Sequence, residues 1–104
     1  MSGIGSMGST GNDAVQNCTN ISFNTDVNSP QENELTGLVK HDILNVNLSN
    51  NTVIVTRQDT AGIVGSINWS SIARLIECIN EGHEYIATIR DIQDGLVKVH
   101  ISAK

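Results

Sequence analysis

The sequence predicts an α+β fold: a small, strongly bent antiparallel sheet or partly open β-barrel of about five strands, with one helix between the third and fourth. Three observations predict it. Ile72, Leu75, Ile76 and Ile79 recur at helical spacing between Gly62 and Gly82. Two alternating runs, DILNVNL and TVIVTR, flank an Asn-Asn pair. Two more, EYIATIRDI and LVKVHIS, flank Asp94-Gly95 after the helix.

Residues 1–33 are rich in Gly, Ser, Asn and Thr, and Ile4, Val15, Ile21, Phe23 and Val27 show no sustained period. So little apolar surface cannot offset the entropy of ordering, and the stretch reads as a disordered acidic tail ahead of one domain, 34–104. Only the segment around Phe23 has strand character. Leu35 and Leu38–Val39 suggest a short first strand. In the following hairpin Asn50-Asn51 suits a two-residue type I′ turn, because asparagine tolerates positive φ. That turn sets Leu48 opposite Val53 and Val46 opposite Val55, so both apolar sets share one face. The next strand, AGIVGSI, carries two glycines, which mark a bulge, a bend or a close backbone approach.

For the helix, Asn68 is the favoured N-cap, with Ser70 and Ser71 as alternatives, and Gly82 is the expected left-handed stop. So short a helix is marginal alone and needs a sheet to cover. The last hairpin has two readings. A two-residue Asp-Gly turn puts Arg90 opposite Val99. A three-residue Gln93-Asp94-Gly95 loop joins Tyr85, Ala87 and Ile89 with Val97, Val99 and Ile101, placing Asp91 at the wet end. The second buries more apolar surface and is preferred.

The net charge is −5, and no Lys or Arg precedes Lys40. With the acids of the tail set aside, the rest is nearly neutral, which argues against a strong non-specific hold on nucleic acid. No apolar run is long enough to span a membrane, and MSGIGSMGSTGND lacks the features of a secretory signal. Cys18 and Cys78 lie far apart in unlike contexts, Cys78 reading as a small buried side chain. A disulfide framework is therefore not expected, and a reducing, cytoplasmic setting is the simpler reading. Asn-x-Ser/Thr triplets at Asn17, Asn20, Asn47, Asn50 and Asn68 fit the polar composition better than glycosylation.

His41, His83 and His100 fall on different elements, so no metal site is expected. No Ser or Cys stands in a nucleophile context, no glycine pattern suits a phosphate, and neither catalysis nor a cofactor is expected. Trp69 reads as a cap on the core, and Tyr85 as an inward ring with its hydroxyl at the rim. The alternative makes Trp69 and Tyr85 stacking surfaces for a base, with Arg57, Arg74 or Arg90 as phosphate partners.

The run NTVIVTRQDTAGIVGSI, the helix SSIARLIECINEG and the strand HEYIATIRDI carry a resemblance. A strand, a turn, a glycine-containing strand ending near VG-x-I, a Leu/Ile-rich helix, a glycine and another strand resemble the latter half of the HIRAN domain, over about residues 43–101. The resemblance implies a small β-barrel with helices, of a kind found alone or fused to DNA remodelling and repair enzymes, some of which bind single-stranded DNA ends. The family often has an Arg-containing strand and an Asn-Pro-x-Asp-like loop where this chain has NVNLSNN, so its DNA contacts are not carried over.

The expectation is a non-enzymatic, HIRAN-like binding module for a protein partner or single-stranded nucleic acid ends, independent of membranes. The other expectation is a small acidic protein-interaction factor, of the inhibitor or immunity type from a bacterium or phage. It would act through its acidic tail or a sheet edge. Self-association through an edge strand is a third.

Overall fold

The structure, a computed structural model, describes residues 17–104. In chain order it has β1 (Ser22–Asn28), β2 (Ile43–Ser49), β3 (Thr52–Thr56), β4 (Ile63–Ile67), α1 (Ile72–Asn80), β5 (Tyr85–Gln93) and β6 (Leu96–Ala103), with 3-10 turns at Cys18–Asn20 and Glu32–Glu34. The strands are antiparallel and close into a barrel in the order β1-β4-β3-β2-β5-β6. A closed six-strand barrel replaces the expected partly open one of about five strands, so α1 lies between the fourth and fifth strands.

The difference is β1, which extends the strand expected around Phe23 through a stretch otherwise expected to be disordered. It pairs with β6 from Ser22↔Ser102 to Asp26↔Lys98. At its other end it pairs with β4 through Val27↔Ile67 and Asn28↔Ser66. Ile21 and Val27 are buried, while Phe23 and Thr25 between them are half-buried. A threonine in the inward series weakens the period-2 signal, and the partners of β1 lie far away in sequence. Residues 1–16 of the expected tail lie outside the described residues.

The β2–β3 hairpin forms as its turn chemistry predicts. Asn50 and Asn51 take φ of 51° and 64°, and Leu48 faces Val53 while Val46 faces Val55. Between β3 and β4 the register shifts at Val55/Thr56, so Val64 is an extra residue. The expected close approach falls at Gly65. A Cβ there would stand 2.7 Å from the Asn28 carbonyl oxygen, where β1 crosses.

The β5–β6 turn differs from the preferred reading. It has two residues, Asp94 and Gly95 at φ 53° and 81°, closed by Gln93↔Leu96. Even so, Ala87 faces Ile101 and Ile89 faces Val99, because a bulge between Ile89 and Asp91 makes Arg90 the extra residue. The bulge does what the longer loop was expected to do: it keeps the apolar faces together. Ile92, opposite Val97, then turns to the core, and Asp91 stays exposed.

α1 sits at the end of the barrel where β1 and β5 begin. Leu75 and Cys78 have no exposed surface, and Ile72, Ile76 and Ile79 pack half-buried against the core. The N-cap is Ser71, without a side-chain cap bond, and not Asn68. Trp69 is stacked on Phe23, so residues 69–71 form a turn ahead of the helix, with the Ile72 amide donating to the Trp69 carbonyl. Residues 29–42 cross to the other mouth as a 3-10 turn and loop rather than a strand, with Leu35 and Leu38 packed on the core.

Cys18 and Cys78 are joined in a disulfide with Cα atoms 5.6 Å apart, which overturns the expectation of two separate thiols. Burial of Cys78 was legible from the helix period. Its partner was not, because sixty residues of chain separate the two. Among the described residues no helix is long and apolar enough to cross a membrane.

Candidate binding surfaces

The five residues singled out in the sequence do not converge on one site. Tyr85 is buried, and its hydroxyl donates to the Cys18 carbonyl at 2.6 Å. Burial pushes its phenol up from the usual tyrosine value. It therefore fastens the segment before β1 and offers no face for stacking. Trp69 and Phe23 lie parallel, with centroids 3.8 Å apart and planes within 8°. Their contact closes the seam where β4 has ended and β1 continues with β6 as its remaining neighbour, so one face of the indole is already covered.

Arg57 follows β3 at the mouth crossed by residues 29–42. Its Nε and Nη2 donate to the two Asp59 carboxylate oxygens, each at 2.9 Å. Its Nη1 donates to the Glu34 and Thr36 carbonyls at 2.8 and 2.7 Å. This planar fork is committed to the crossover. The hydrogen bond from Arg57 is the main cause that holds the Asp59 carboxyl at about 2, against 3.8 for the ordinary group. Because the folded value is the lower one, the stabilisation is present above 3.8 and is lost as pH falls through about 2. The Asp59→Asn variant should therefore melt below the parent protein at pH 6 and converge with it near pH 2, as followed by thermal unfolding at stepped pH.

Arg74 pairs with Glu77 on α1 at 3.1 Å, and Lys104 with Glu84 at 3.3 Å. Arg90 stands on the β5 bulge. It lines a groove of about 530 Å³ with Asn24, Thr25, Asp26, Lys98 and Val99. Lys98 is opposite Asp26 on one side and Asp91 on the other. Next to the groove, His100 is held by Asn24 at 2.8 Å and Ser22 at 2.9 Å. The β1–β6–β5 side is thus polar, and its charges of both signs alternate.

The opposite side is different in kind. Side chains alternate across a strand, so the outward residues of β5, β2, β3 and β4 are Ile86 and Thr88, then Ile43, Asn45 and Asn47, then Ile54 and Thr56, then Ile63 and Ser66. The cross-strand pairs Thr88↔Ile43, Ile86↔Asn45, Asn47↔Ile54, Asn45↔Thr56, Thr56↔Ile63 and Ile54↔Ser66 make this one continuous face. None of these nine residues is charged. Ile43 and Ile63 are 41% and 50% exposed, far more than the core positions beside them. The polar members are partly matched internally, as in Asn47 Nδ2 donating to Thr56 Oγ1 at 2.9 Å. The site candidates taken from the sequence missed this face. Its signal was present, since no charged residue occurs from Ile43 to Thr56.

No family model, no curated protein and no solved structure matches the chain.

Proposed function

We propose that the chain is a non-enzymatic binding module whose partner is a protein, held on the uncharged outer face of β5, β2, β3 and β4. The observation that carries the reading is the combination of exposed Ile43 and Ile63 with half-buried Ile54 and Ile86 on a face without charge. The centres of protein interfaces are depleted of charge in the same way, and the charges stand at the edge of the face, Glu34 beside Ile63 and Asp42, Arg57 and Asp59 beside Ile43. Barrel closure leaves β1 and β6 paired, so the contact is made by a face and not by strand addition. This deepens the protein-interaction expectation and replaces its sheet edge. The Cys18–Cys78 bond supports an oxidising setting over the cytoplasmic one.

Charge placed on the face tests the reading. The immobilised chain should retain a partner from nuclease-treated native extract; Ile54→Glu and Ile63→Glu should each lose it, and Arg90→Ala should keep it. Retention unaffected by the two glutamates would contradict the proposal.

A second reading, nucleic-acid ends as ligand, follows from the HIRAN resemblance and draws support from the groove that holds Arg90 and Lys98. It requires a labelled single-stranded oligonucleotide to bind at low salt and to be released by Arg90→Ala. Absence of binding at low salt removes it.

A further inference from the structure

The end of α1 gathers more metal-ligating groups than any other point among the described residues, and the fold's own stop signal gathers them. Gly82 takes φ +101°. Its amide donates to the Ile79 carbonyl, and the His83 amide reaches back to the Cys78 carbonyl, both at 3.0 Å. These two bonds reverse the chain after a helix and bring His83 back beside the turn that carries Cys78 and Glu81. Cys18 arrives from the 3-10 turn before β1, bonded to Cys78 and fastened through its carbonyl to Tyr85. As a result Cys18 Sγ, a Glu81 carboxylate oxygen and a His83 ring nitrogen all lie within 4.8 Å of one another. The Glu81 Oε1 atom is 3.9 Å from the sulfur. Cys78 Sγ, outside that group, is bonded directly to Cys18 Sγ and is the fourth donor.

We propose that breaking the Cys18–Cys78 bond turns this corner into a site for one zinc-like divalent cation, with Cys18, Cys78, His83 and Glu81 as its four ligands. Two sulfurs with an imidazole and a carboxylate make a donor set that suits tetrahedral zinc. A dithiol reductant supplies two electrons and two protons: the S–S bond breaks, two thiols form, and the reductant becomes a disulfide. Binding then replaces each S–H bond with an S–metal bond and releases both protons to water. At a tetrahedral zinc the sulfurs stand about 3.8 Å apart, given metal–sulfur bonds of about 2.3 Å. Rotation of the two cysteine side chains opens that distance while β1 and α1 stay seated. The cation would re-join the two segments that the disulfide joins, so the barrel has a clamp in either redox state. The inference is independent of the partner-binding face, which lies on other strands.

Cobalt(II) is the probe. The full chain, reduced with a phosphine, should bind a single Co²⁺ with a thiolate-to-cobalt charge-transfer band that Zn²⁺ abolishes, and the oxidised chain should give no band. His83→Gln and Glu81→Gln alter surface side chains and retain both thiols. Each should weaken Zn²⁺ binding to the reduced chain by at least about tenfold, the lower range seen even for outer-shell partners. A reduced chain without the band, or glutamine variants that bind like the parent, would overturn the proposal.

Discussion

Replacing both cysteines with serine should lower the unfolding free energy by about 4 kcal/mol, the loop-closure value for a cross-link spanning sixty residues. The closed loop runs from the turn before β1 to the last turn of α1 and so contains four of the six strands. Without the bond the unfolded chain regains the freedom to separate β1 from everything it pairs with. Single domains are stable by about 5–15 kcal/mol, so the loss is a large fraction of the total and the double variant should be close to marginal. Denaturant titration of the oxidised parent and the Cys18→Ser/Cys78→Ser variant, in the absence of metal, measures it. A difference below about 1 kcal/mol would mean that the disulfide ties segments already held by packing.

Leu75→Ala should cost about 3 kcal/mol, within the range for truncating a fully buried leucine. Leu75 is the largest side chain of α1 with no exposed surface, and the half-buried Ile72, Ile76 and Ile79 flank it. The barrel wall is fixed by its ladder and cannot follow the helix inward, so the removed methyl groups leave a cavity instead of a collapse. Ile76→Ala, at a half-buried position, should cost clearly less. Urea midpoints for the two variants test the ranking, and equal costs would place the helix differently on the barrel.

Local chemistry made much of this fold legible. Asn50-Asn51 admits positive φ at both central residues, and that single fact sets the β2–β3 register. Gly82 announced the end of α1 because only glycine takes that backbone without strain. The last hairpin was half legible. The apolar pairs were right, but the bulge that makes them compatible with a two-residue turn falls on Arg90, a residue with no bulge signature. β1 was half legible: the strand character around Phe23 showed, but its length and its closing role did not, because its inward series includes Thr25 and its partners lie on β4 and β6.

Site legibility followed the same division. Arg57 stood out as a cation, but its role depends on carbonyls of Glu34 and Thr36 that approach only in the folded chain. Tyr85 was read correctly as inward-facing, while the acceptor of its hydroxyl belongs to the distant Cys18. The uncharged face is legible from the strand period applied to the outward residues, since no charged residue occurs from Ile43 to Thr56.

Closure by β1 underlies both surfaces and the clamp, so proton–proton contacts along that strand in solution test the account most directly. Nuclear Overhauser spectra of the full oxidised chain should connect Phe23 with Ile101 and with the Trp69 ring, and Val27 with Ile67. A β1 whose resonances show none of these contacts, with the remaining five strands intact, would contradict a closed barrel and the arguments built on it.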